Sequence, residues 1–186
     1  MTCIVGLVED GVIYMGGDSA AVGGLSIETR ADPKVFVNGP MIFGFTSSFR
    51  MGQLLQYALQ IPEQLPSKTD MAYLVTDFMD AIRALYQNHG FMGKSEERED
   101  GGTFLLGYRG TLYKVGDDFQ VACVAHPYDA VGCGGDIALG ALHAMTGMKR
   151  APPAKIRAAL AASAEFSAGV RPPFYVASLP AENPKT

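Results

Sequence analysis

Two tight-turn signals near the start of the chain limit its fold more than any other feature. Glu9-Asp10-Gly11 separates the apolar, β-branched run Thr2 to Val8 from Val12 to Met15, and Asn38-Gly39-Pro40 separates Val35-Phe36-Val37 from Met41-Ile42-Phe43. Asp-Gly and Asn-Gly between apolar runs are hairpin signals, because these residues accept the positive φ that a tight reversal needs. Strands joined this way are antiparallel, and the first hairpin starts at the first residues. Asp18 to Gly24, between the hairpins, is rich in small residues and glycine. Four short strands are therefore expected in the first quarter of the chain.

Helical spacing follows. Met51, Leu54, Leu55, Ala58 and Leu59 repeat at helical intervals over Phe49 to Leu59, as do Met71, Leu74, Val75, Phe78, Met79, Ile82 and Leu85 over Asp70 to Tyr86. Thr69 and Asp70 can supply the N-cap of the second helix. Gly90 to Gly102 is polar and glycine-rich, which predicts an exposed excursion. Strand character returns at Thr103 to Tyr108, Leu112 to Val115, Phe119 to Val124 and Ala130 to Gly132. Two helices are then expected, over Asp136 to Thr146 and Ala154 to Ser167, before a closing strand at Phe174 to Ser178 and a loose tail from Ala181 to Thr186.

The element order is strands, two helices, strands, two helices and a last strand. An antiparallel sheet can cover one face with a second sheet and the other with helices. The pattern therefore predicts an α+β fold, a four-layer αββα sandwich of two antiparallel sheets flanked by helix pairs. At 186 residues and 48% hydrophobic content, one domain spanning residues 1–186 is expected.

Composition narrows the partners. A formal charge of −4, with no cluster of Lys or Arg, gives no footprint for nucleic acid or an anionic membrane. No apolar run approaches the roughly 20 residues that span a bilayer, and the start of the chain lacks a basic n-region. Cys3, Cys123 and Cys133 are odd in number and have no CxxC spacing, so they read as reduced thiols. A soluble, cytoplasmic protein is expected.

Thr2 becomes the first residue if Met1 is removed, and an N-terminal Thr carries its hydroxyl and a base in one residue. Its free amine, with an ordinary pKa of about 7.7–8.0, can take the hydroxyl proton directly or through one water. Thr at position 2 is common, so this signal is weak alone. Asp18, in Gly16-Gly17-Asp18-Ser19, and Lys34, in Asp32-Pro33-Lys34-Val35, add weight. An ammonium beside a Thr hydroxyl lowers the hydroxyl pKa, and a carboxylate keeps that ammonium charged and oriented. Taken singly, Asp18 could equally cap a turn and Lys34 could be a surface charge.

At these spacings Thr2, Asp18 and Lys34 resemble the nucleophile, Asp and Lys of the proteasome β-subunit and HslV family, the threonine peptidases of the N-terminal-nucleophile (Ntn) hydrolase fold. Gly44, in Ile42-Phe43-Gly44-Phe45, matches a family glycine whose N–H serves the oxyanion, although a glycine in a buried strand would read the same way. Gly132-Cys133-Gly134-Gly135 resembles the family's Gly-Ser-Gly-Gly, with Cys133 in the serine position. That serine helps orient the terminal amine, and a thiol is a weaker donor and acceptor. Ala164 and Ser167 fall where many proteasome subunits carry a second Asp and a Ser, and only Ser167 is matched.

The resemblance implies peptide-bond hydrolysis inside a closed homo-oligomeric ring of roughly twelve to fourteen subunits, fed by an AAA+ ATPase unfoldase. It requires no cofactor but allows a monovalent or divalent cation held by the backbone carbonyls of Ala164, Ser167 and Val170. Without a long prosegment before Thr2, methionine removal suffices for maturation. Two other readings share the fold: a small-amide hydrolase, and an inactive ring subunit, which Thr2, Asp18 and Lys34 together argue against and Cys133 leaves open. Cys3 alternates with Thr2 and should face away from it, Cys123 should lie in the core, and His89, His126 and His143 should be structural.

Overall fold

In a computed structural model, which describes residues 1–95 and 98–181, the chain forms the layers its pattern predicts. β1 (Ile4–Glu9) and β2 (Val12–Gly17) pair from Glu9↔Val12 to Ile4↔Gly17. Asp10 and Gly11 make the turn with φ of 53° and 74°, the left-handed values that select Asp-Gly. β12 (Tyr128–Val131) and β13 (Tyr175–Pro180) complete a four-stranded sheet ordered β12-β1-β2-β13. The second sheet, ordered β11-β10-β9-β6-β5, is built from β5 (Val35–Asn38), β6 (Met41–Phe45), β9 (Phe104–Tyr108), β10 (Thr111–Val115) and β11 (Val121–Cys123). Every pairing is antiparallel.

Two small ribbons lie outside these sheets. β3 (Ala20–Gly23) and β4 (Ser26–Thr29) form a hairpin where the sequence offers only small residues, and β7 (Gly93–Ser95) pairs with β8 (Arg98–Asp100) in the polar excursion. The first quarter thus holds six strands rather than four.

The helices are α1 (Phe49–Tyr57), α2 (Asp70–Tyr73), α3 (Met79–Asn88), α4 (Gly135–Ala144) and α5 (Pro152–Phe166). Ser48 and Thr69 cap α1 and α2, their hydroxyls accepting the N–H groups of Arg50 and Ala72. Between α2 and α3, Leu74–Phe78 widens into a π-helical turn, which no propensity signals. Among the described residues no helix is long and apolar enough to cross a membrane. The expectation for the tail falls on residues 182–186, outside the described residues.

Three buried clusters correspond to the three spaces between four layers. Phe43, Phe78, Phe104 and Tyr86 belong to the space between the five-stranded sheet and α1 to α3, and Val5, Ala138, Ile156 and Leu160 to that between the four-stranded sheet and α4 and α5. Ile4, Ile13, Met15, Val35, Ile42 and Leu105 fill the gap between the sheets. Met51 and Met79 are buried in the first of these, whereas Met71 is exposed. Cys123 is exposed rather than in the core, because β11 is an edge strand whose alternate side chains face solvent.

Candidate active site

Thr2 sits just before β1, a strand flanked on both sides, so its position is set by the sheet. Asp18 follows β2 directly, and its N–H donates to the Cys3 carbonyl (3.3 Å), continuing the ladder one residue past Ile4↔Gly17. Lys34 directly precedes β5 in the facing sheet, its carbonyl accepting the Phe45 N–H at 3.1 Å. Strand ends from two sheets therefore deliver all three side chains to one point.

There the Lys34 ammonium donates to Thr2 Oγ1 at 3.1 Å and to Asp18 Oδ1 at 2.8 Å. Asp18 Oδ1 also accepts the Cys3 N–H, and Oδ2 accepts the N–H groups of Ala20 and Arg171. The carboxylate is thus held by backbone donors as well as by its ion-pair partner. Lys34 and Asp18 are 1% and 2% exposed. Burial pulls the Lys34 pKa below the ordinary lysine value of 10.5, and the adjoining Asp18 charge and hydrogen bond oppose that pull. A buried pair of this kind is costly to break, since either charge alone would lack compensation.

The turn between β12 and α4 holds the other side of Thr2. The Gly134 N–H donates to the Thr2 carbonyl at 3.3 Å, and Gly132 has a φ of 98°, with any Cβ driven into that same carbonyl. Cys133 Sγ accepts the Thr2 N–H at 3.3 Å and lies 3.4 Å from the Thr2 carbonyl and 3.6 Å from Ser167 Oγ. The thiol therefore stands where a group orienting the amine would stand. Cys3 faces the other way, its thiol 3.6 Å from Ser163 Oγ, and burial pushes its pKa up to about 12. Such a thiol is a poor nucleophile.

Met1 is 60% exposed, and its carbonyl accepts the Thr2 hydroxyl. The Thr2 nitrogen is consequently an amide here and becomes a basic amine only when Met1 leaves.

Gly44 requires a correction. It lies inside β6 between Val35 of β5 and Leu105 of β9, and an added Cβ would strike Ile4 and Met15 between the sheets. Since the Phe45 N–H points to β5, the preceding Gly44 N–H points to β9 and is taken up by the ladder. Glycine is needed there for sheet packing. The backbone bordering the Thr2 cleft is instead the turn Thr46 to Ser48, in which Ser47 has a φ of 61° and the Ser48 N–H reaches only the Thr46 carbonyl, two residues back.

Ala164, Ser167 and Val170 follow one another around the end of α5, where the Ser167 carbonyl accepts the Val170 N–H at 3.2 Å. The three offer neutral carbonyl oxygens without a carboxylate, and among the described residues no group of three or more His, Cys, Asp or Glu could hold a metal ion. The histidines are remote from Thr2 in the chain: His126 stacks on Tyr128, whose hydroxyl meets His143 Nδ1 at 3.0 Å. Sequence reasoning missed Ser163, fully buried and donating to the Gly134 carbonyl at 2.8 Å, and the β3–β4 ribbon beside the cleft. A serine on the inner face of a helix carries no signal of its own.

Two antiparallel sheets packed between helix layers are the architecture of the Ntn-hydrolase fold. No family model matches the sequence and no curated protein does. Among solved structures the chain is similar to BPH of Thiobacillus denitrificans in complex with epoxomicin, with a TM-score of 0.81 at 19% identity over 98% of this chain and 100% of that one. It is also similar to eukaryotic HslV from Trypanosoma brucei, at a TM-score of 0.69, 15% identity, 96% of this chain and 99% of that one. Anbu, an ancestral β-subunit from Yersinia bercovieri, matches at a TM-score of 0.65 and 13% identity over 96% of this chain and 82% of that one. At these identities the likeness is one of fold.

Proposed function

We propose that the chain is a threonine peptidase of the Ntn class, with Thr2 as nucleophile after Met1 removal and polypeptides as substrates. The observation that carries this is the buried Lys34–Asp18 pair aimed at Thr2 Oγ1. A lysine stem buried to 1% exposure serves no surface role, and an ammonium 3.1 Å from the hydroxyl stabilises the alkoxide character that a nucleophile needs.

In the reaction Thr2 Oγ attacks the scissile carbonyl carbon while its proton passes to the free Thr2 amine. The backbone N–H of Ser47, in the turn beside the cleft, takes the developing oxyanion, in the place first assigned to Gly44. The protonated amine then gives its proton to the leaving nitrogen, the C–N bond breaks, and an ester on Oγ remains. Water, deprotonated by the same amine, attacks that ester and restores the hydroxyl. Cys133 orients the amine through the contact it makes with the Thr2 nitrogen, and no step uses a cation.

The peptidase works as a subunit of a homo-oligomeric ring fed by an unfoldase, consistent with its likeness to HslV. The experiment is to measure hydrolysis of short peptides and epoxomicin binding by wild type and Thr2→Ala. Activity should fall by about three or more orders of magnitude, with epoxomicin binding lost and the fold retained. Normal hydrolysis by Thr2→Ala would end the proposal.

A further inference from the structure

The Thr2 hydroxyl opens onto a cleft of about 340 Å³. One wall is the β3–β4 ribbon and the other is Phe45, the Thr46 to Ser48 turn and Phe49. The ribbon register pairs Ala21 with Glu28 and Gly23 with Ser26, and directly opposed residues point to the same face. Ala21, Gly23, Ser26 and Glu28 all line the cleft, so the ribbon's inner face carries three small residues and one carboxylate. The ribbon is anchored at the nucleophile, because Ala20 donates its N–H to Asp18 and the Arg30 N–H returns to the Ser19 carbonyl at 2.8 Å.

The charges around this cleft do not cancel. Arg30 is bound bidentate by Asp32, at 2.8 Å for each bond, and its guanidinium lies 4.5 Å from the Phe49 ring centroid. Lys34 is neutralised by Asp18. Glu28 makes no ion pair within 4.0 Å among the described residues, so one negative charge is left over in the cleft. The opposite wall is aromatic, with Phe45 and Phe49 meeting edge to face at 5.7 Å. A side chain that suits both walls has a long aliphatic stem and a cationic tip.

We propose that this cleft holds the side chain N-terminal to the scissile bond and selects lysine or arginine there, with Glu28 reading the charge and Phe45 and Phe49 receiving the stem. This rests on the peptidase reading. Glu28 is exposed, so the selectivity it confers is modest, about fivefold, and weakens as salt rises.

The test uses the processed protein and four fluorogenic peptides that differ only in that residue: Lys, Arg, Leu or Glu. Wild type should give a kcat/KM for Lys and Arg about fivefold above Leu, with Glu poorest. Glu28→Gln should collapse the Lys-to-Leu ratio towards one, and Glu28→Lys should raise the Glu-to-Lys ratio above one. Higher ionic strength should lower the wild-type ratio and leave that of Glu28→Gln unmoved. Equal or better cleavage after Leu by wild type, or an unchanged ratio in Glu28→Gln, would overturn the specificity while leaving the peptidase intact. Absence of any Thr2-dependent cleavage of all four would overturn both.

Discussion

Lys34 carries two opposing signs of pH dependence. Burial lowers its pKa from 10.5, so between that lowered value and 10.5 the native chain binds fewer protons than the unfolded one, and stability rises with pH. On the peptidase reading activity should move the other way, because there the charged ammonium is the form that assists Thr2. The alkaline limb of kcat should therefore fall at a pH below the ordinary lysine range of about 10.4. Asp18→Asn removes the charge that opposes the burial effect and should shift that limb to still lower pH. A pH–rate profile checks both, and a limb unmoved by Asp18→Asn would show that another group sets it. At this scale the meeting of Thr2, Asp18 and Lys34 was legible in the sequence, since their spacing and chemistry agreed. Gly44 was not, because a glycine that makes room for Ile4 and Met15 reads the same as one that makes room for substrate.

Among the elements, the turn from β12 to α4 holds Thr2 in register. Gly132 combines a φ of 98° with a Cβ direction that points into the Thr2 carbonyl, so Gly132→Ala is strained twice. It should destabilise the protein by about 1–3 kcal/mol and displace the Gly134 clasp on Thr2. Chemical denaturation would read the first effect. A loss of kcat well beyond the loss of folded protein would read the second, and full activity in a folded Gly132→Ala would show that the clasp is dispensable. The hairpins of β1–β2 and β5–β6 could be read because their turns announce themselves. The β3–β4 ribbon could not, since Ala20, Ala21, Gly23 and Gly24 carry no apolar alternation, and neither could the π-helical turn, which interrupts an unbroken helical spacing. Cys123 misled because strand character does not tell an edge from a centre.

Both outer helix layers leave large apolar side chains in solvent: Tyr57 and Val75 on one side, Phe166 on the other. A ring is closed by heterologous contacts, which need two different surfaces on each subunit. The family resemblance sets the expected size of such a ring, a homo-oligomer of roughly twelve to fourteen subunits closed by rotation. Light scattering coupled to size exclusion measures this directly, and an active monodisperse monomer would remove the ring and favour a small-amide hydrolase.

Met1 borders the Thr2 cleft, and β1, two residues on from Thr2, is held between β12 and β2. On the peptidase reading, any affinity tag or fusion partner joined ahead of Thr2 would lead out through the same cleft and leave the Thr2 nitrogen an amide. Cloning strategy is thereby dictated by the sheet: a handle belongs away from the start of β1.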